Sequence, residues 1–116
     1  MNLSLLVALV EDTRTEDIIA AARDGGATGA TIINGARGEG LEPEQTFLGL
    51  SVQTQRNMVL FLVAKPRART ILEKIAAAGE FDETPGSGVA FEIAIQDAVG
   101  LGSQLKAILA EIESDI

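Results

Sequence analysis

Apolar positions along the chain come in short runs of two periods. Leu3 to Val10 (LSLLVALV) is apolar almost throughout and partly β-branched, which predicts a buried strand. Glu11, Asp12 and Thr13 break the run. Thr13 and Glu16 stand at capping-box spacing, so a helix is predicted from about Arg14 to Arg23, with Ile18, Ile19 and Ala22 facing the core. Gly25 and Gly26 should end it, because glycine accepts the left-handed backbone of a helix terminus. Ala30 to Ile33 reads as a second strand. Met58 to Ala64 (MVLFLVA) reads as a third and the strongest. Pro66 suits a first helical turn. Ala68, Ile71, Leu72, Ile75 and Ala76 then recur at helical spacing up to Gly79. Val89 to Ile95 is a fourth strand. Leu105, Ile108, Leu109 and Ile112 predict a short C-terminal helix over about 103–115.

The order is β-α-β-loop-β-α-β with a tail helix. Two βαβ-type halves of this length make an α+β fold, a ferredoxin-like βαββαβ sandwich in one domain spanning 1–116. Its helices cover one face of a four-stranded antiparallel sheet. Leu3–Val10 and Met58–Ala64 are apolar on both faces, so the other face also needs a cover. In a domain this small another subunit is the expected cover.

Composition narrows the function. Hydrophobic residues make up 47% of the chain and aromatics only 3%, so the core is aliphatic. The formal net charge of -8 disfavours nucleic acid and anionic membrane surfaces, both of which select Lys and Arg. Cysteine and histidine are absent, which excludes disulfides, thiolate chemistry, Cys/His zinc sites and His-based proton transfer. Met1–Val10 lacks a basic flank and is too short to span a bilayer, so a cytoplasmic protein without membrane insertion is expected. Carboxylates such as Glu11, Asp12, Glu80, Asp82, Glu83 and Asp97 read as solvated charges. Glu92 is the odd charge within a strand. It can face solvent, a subunit axis or an arginine across an interface.

Several segments, in this order and spacing, resemble the PII superfamily of nitrogen-regulatory and PII-like proteins. They are Gly26-Ala27-Thr28-Gly29-Ala30-Thr31 at the start of the second strand and Gly35-Ala36-Arg37-Gly38 at its end. Gln55–Ala64 matches the strand leaving the family's T-loop. Gly86-Ser87-Gly88-Val89-Ala90-Phe91 with Ile95–Val99 matches the B-loop and fourth strand. The similarity spans about residues 3–101. It implies a homotrimer that is not an enzyme and holds an effector, often an adenine nucleotide such as AMP, ADP or ATP, in clefts between subunits. No cofactor is obligatory and no metal is implied. A mobile T-loop over about 37–55 is implied to dock on a partner, a membrane transporter or a metabolic enzyme. The alternative is a structural trimer similar to the CutA proteins, without nucleotide sensing.

The ligand-binding residues carried over are Gly29, Thr31, Gly35, Arg37, Gly38, Arg56, Gly86, Ser87, Gly88 and Val89. Gly86-Ser87-Gly88 reads either as a tight turn or as a backbone N–H cradle for phosphate. Arg37 reads either as a solvated loop arginine or as a partner for phosphate or carboxylate. Gly29 and Thr31 either shape an adenine pocket or simply open a strand. Arg56 has Glu42 or Glu44 as its expected partner. Family members that bind ATP well carry a lysine after the B-loop triplet, where this chain has Val89. They carry basic residues after the fourth strand, where Val99-Gly100-Leu101-Gly102 is neutral. Fewer positive charges for a triphosphate shift the expectation toward AMP, ADP, a cyclic dinucleotide, a small carboxylate or bicarbonate.

Overall fold

The computed structural model describes residues 2–36, 46–47, 50–51 and 56–100. The order is β1 (Leu3–Glu11), a 3-10 turn (Asp12–Arg14), α1 (Thr15–Asp24), β2 (Thr31–Ala36), β3 (Thr46–Phe47), β4 (Leu50–Ser51), β5 (Arg56–Ala64), α2 (Lys65–Gly79) and β6 (Gly88–Ala94). Four strands form one antiparallel sheet in the order β2-β5-β1-β6, the ferredoxin-like arrangement expected from the periodicity. β3 and β4 form a separate two-residue antiparallel pair. Both the tail helix expected over 103–115 and most of the loop expected over 37–55 lie outside the described residues.

Strand alternation sorts the side chains between two faces. Leu6, Ala8 and Val10 of β1 and Val59, Phe61 and Val63 of β5 face the helices. They pack there with Ile18, Ile19 and Ala22 of α1 and Ala68, Ile71 and Ile75 of α2. The opposite face carries Leu5, Val7 and Leu9 of β1, Leu60 and Leu62 of β5, Ile33 of β2, and Phe91 and Ile93 of β6. No element among the described residues covers it, and Ile33, Phe91 and Ile93 are exposed.

Three local expectations are corrected. The capping box does not form. A 3-10 turn precedes α1, whose N-cap is Arg14 without a side-chain cap, and the Thr15 hydroxyl donates to the Glu11 carbonyl instead. β2 runs on past Ile33 to Ala36 through a bulge, because Gly35 takes φ +74° and lets one extra residue enter the strand. As predicted, α2 ends at Gly79, and the left-handed position after it falls on Glu80 at φ 54°. Gly79 serves space instead of conformation, since a Cβ there would overlap the Phe81 ring. Lastly, β6 starts at Gly88 and ends at Ala94, one residue ahead of the predicted span at each end.

Candidate functional site

Antiparallel pairing brings distant segments to one end of the sheet. Ala36 pairs with Arg56, Arg56 with Glu11, and Val10 with Gly88. The bulge at Gly35, the start of β5, the end of β1 and the Gly86–Gly88 turn therefore share that end. The turn is tightly determined. Gly86 has φ +77°, a conformation that side chains with a Cβ rarely adopt. The Ser87 N–H donates to the Thr84 carbonyl at 3.1 Å, and its buried hydroxyl donates to the Glu80 carbonyl at 3.0 Å. Both Ser87 donors are thus spent within the loop. A Cβ on Gly88 would overlap the Phe81 ring and lie 3.0 Å from the Leu9 carbonyl oxygen. Phe81 is held between Gly79 and Gly88. Beside it a groove of about 470 Å³ runs between α2 and β6, lined by Arg69, Leu72, Glu73, Phe81, Glu83 and Ala90 among others.

Arg56 is the buried cation of this region, with 3% of its surface exposed. Strand alternation puts it on the side away from the helices, because its neighbour Asn57 points inward and donates to Thr15 Oγ1 at 2.8 Å. Arg56 Nη1 lies 3.6 Å from Glu11 Oε1, within ion-pair range and past hydrogen-bond reach. Its Nε and Nη1 are buried with no hydrogen-bond partner among the described residues. Glu42 and Glu44, the partners expected from sequence, lie outside the described residues, and Glu11 is the carboxylate found beside it. Sequence reasoning treats Glu11 as a solvated charge. The available signal was its place at the end of a buried strand antiparallel to the one that Arg56 begins.

Gly29 and Thr31 sit elsewhere. With Thr28, Ala30, Leu60 and Leu62 they line a depression of about 230 Å³ on the uncovered face, at the β2 edge. β2 and β6 are opposite edges of the sheet, three strand spacings or roughly 14 Å apart. One chain therefore brings Gly35, Arg56, Gly86, Ser87, Gly88 and Val89 toward one end, and holds Gly29 and Thr31 apart from the turn. Arg37 and Gly38 lie outside the described residues. Glu92 faces the helix side of β6, accepts a hydrogen bond from the buried Ser4 hydroxyl and lies 4.0 Å from Lys65 Nζ.

Asp24 ends α1, where the helix dipole disfavours an acid. A 2.9 Å hydrogen bond from Lys74, together with the lysine's charge, holds its carboxyl below the usual aspartate range. Among the described residues no helix is long and apolar enough to cross a membrane.

The family model described as nitrogen regulatory protein P-II matches residues 3–104. Among solved structures, CPII from Thiomonas intermedia K12 bound to ADP, AMP and acetate shares 22% identity, with 84% of this chain and 89% of that chain covered and a TM-score of 0.63. A protein described as PII-like, from Thermus thermophilus, shares 22% identity over 82% of this chain and 87% of that one, with a TM-score of 0.60. CPII bound to ADP and bicarbonate gives 22%, 82%, 87% and 0.61 in the same order. No curated protein matches the chain. At these identities the structural likenesses establish the fold.

Proposed function

The chain belongs to the nitrogen regulatory protein P-II family, and on that basis we propose that it is a non-catalytic regulatory subunit that binds an adenine nucleotide between copies of itself. One observation carries this reading. The candidate binding residues are split between the two edges of the sheet, and the face joining those edges is apolar and uncovered. A second copy packed on that face supplies both the missing cover and the missing half of the site. Three copies close the arrangement into a ring without leaving a free edge of the kind that extends into fibres.

In such a cleft Gly29, Thr31, Leu60 and Leu62 of one copy offer an apolar slot suited to an adenine ring. Gly35, Arg37, Gly38 and the turn Gly86-Ser87-Gly88-Val89 of the next copy face the phosphates. Ser87 contributes by shaping the turn, since its own donors are occupied. The turn lacks a lysine at Val89, which favours a nucleotide with fewer phosphates. The solved structures of CPII with ADP and AMP support that chemistry for the fold. Residues 37–55 are the part that meets a transporter or an enzyme.

Titration calorimetry with AMP, ADP, ATP and a cyclic dinucleotide, alongside molar mass by light scattering, tests the reading. The expected result is a trimer mass and saturable binding, with ADP or AMP tighter than ATP. A trimer that binds none of the four supports the CutA-like structural alternative instead. Gly86→Val, which forces a side chain into a φ of +77°, should abolish nucleotide binding at unchanged trimer mass.

A further inference from the structure

We propose that the C-terminal segment 103–115 docks as a third helix in the groove between α2 and β6 of its own chain. The docking does not depend on nucleotide binding. The groove, of about 470 Å³, has an apolar floor of Leu72, Ala76, Phe81 and Ala90. Arg69 and Glu73, paired at 2.9 Å, stand on its rim. The groove exists because β6 turns short side chains toward the helix layer. Gly88, Ala90 and Ala94 alternate there with Phe91 and Ile93 on the other face. Leu72 and Ala76 each follow a buried isoleucine of α2, Ile71 and Ile75, so they face about 100° away from the core. They and Phe81 are only half-buried. β6 is an edge strand, and no strand among the described residues pairs with its outer side.

The rest of the chain supplies an occupant of matching chemistry. Leu105, Ile108, Leu109 and Ile112 make one apolar stripe at helical spacing. A lone helix of about 13 residues is marginal in water and depends on packing its apolar stripe. That stripe lies past residue 104, where the match to the family model ends.

Position and length fit as well. The Ile95 N–H donates to the Leu3 carbonyl at 3.2 Å, and the Lys65 N–H donates to the Asn2 carbonyl at 3.0 Å. The chain therefore leaves β6 at the end of the sheet where α2 begins. Gly100 has φ +82°, a backbone suited to a reversal. A helix of about 13 residues is about 20 Å long, close to the roughly 23 Å of a seven-residue strand such as β6. Run back beside α2, it brings Lys106 toward Glu73 and its acids toward Asp82 and Glu83. Apolar contact, and not charge, carries the docking. Gly88 and Val89 belong to both the groove and the candidate turn, so a seated tail backs that turn from the helix side.

The absence of cysteine makes one introduced thiol a clean probe. Ala77→Cys places it in the groove, and Thr70→Cys places it on exposed α2 surface outside the groove. In the full chain a maleimide should label position 77 roughly tenfold or more slowly than position 70, because a covered site reacts only through local opening. Adding Leu109→Asp with Ile112→Asp should bring the two rates together. Hydrogen exchange on the parent chain should show protection over 105–112 that the double substitution removes. Equal rates in the parent overturn the proposal, and so does a rate at position 77 that ignores the double substitution. Free exchange over 105–112 overturns it without any cysteine. Adding Leu60→Asp, a charge on the uncovered sheet face, should leave position 77 protected. Protection lost there together with a fall in molar mass would mean that a neighbouring copy's tail fills the groove, which refutes docking within one chain.

Discussion

Phe81 shows how single residues set the shape of the candidate site. Its ring fills the space that side chains at positions 79 and 88 would otherwise take, so it joins the end of α2 to the start of β6. Gly88→Ala should destabilise the fold by about 1–3 kcal/mol, the usual range for overpacking. In a Phe81→Ala background the same change should cost much less, and urea unfolding of the four variants measures the difference. Equal costs in both backgrounds would show that the Phe81 ring does not set the limit at position 88. Asp24 gives a second check at this scale. Its folded pKa is depressed by Lys74, so the pair's contribution is present at neutral pH and lost as acid takes the pH down through the folded value. Asp24→Asn should therefore flatten the acid limb of the stability profile, with only a small effect at neutral pH because the pair is exposed. Sequence marks Gly79 as a helix stop but not its purpose. A glycine signals conformational freedom and spare room equally, and only the packed ring tells the two apart.

At the scale of elements, short apolar runs and helical spacing sufficed to order the four main strands and the two helices among the described residues. They did so because one face of each is buried against the other layer. What they missed depends on partners distant in sequence. The start of α1 is fixed from 42 residues away, where Asn57 of β5 donates to the buried Thr15 hydroxyl. A local pattern such as Thr13/Glu16 could not compete with that tie. Asn57→Ala should cost about 1–2 kcal/mol, the range for a buried hydrogen bond whose partner loses its donor, and hydrogen exchange should show α1 opening more readily. Unchanged protection across Thr15–Ile19 would mean that packing alone places the helix. The β2 bulge was equally hidden, since one glycine in Asn34-Gly35-Ala36 reads as the end of a strand until β5 supplies the ladder that continues past it. Arg56 and Glu11 became neighbours through the same pairing, 45 positions apart in sequence, which is why the site's cation was legible and its carboxylate was not.

The whole molecule presents an imbalance that assembly would remove. The helix face of the sheet is packed, while the other face exposes Ile33, Phe91 and Ile93 around half-buried Leu5, Leu60 and Leu62. A contiguous apolar surface of this kind on a small domain marks an interface. A chain of net charge -8 resists random association by self-repulsion, so burial of this face must come from a specific packing that keeps the acids outside. Among the described residues most acids lie off this face, and Glu11, at its end, is paired with Arg56. Glu16, Asp17 and Asp24 are on α1, Glu73 is on α2, and Glu80, Asp82 and Glu83 follow it. Leu60→Asp places a charge at the centre of the face without touching the helix-side core. Its folded monomer should keep the far-ultraviolet spectrum of the parent, because Leu60 already reaches solvent in the single chain. Its mass by light scattering should fall from the three chains of the proposed trimer to one, since an unpaired charge cannot be buried between subunits. The proposed adenine slot uses the same leucine, so loss of ADP binding in that variant would not separate assembly from contact. Ile93→Asp does separate them. Ile93 lies on β6, two strands from Leu60 and Leu62 and three from Thr31, and its substitution should dissociate the proposed trimer and abolish nucleotide binding together. A trimer mass retained in both variants would place the subunit contact elsewhere, and a monomer that still binds ADP at full affinity would show that one chain holds a complete site.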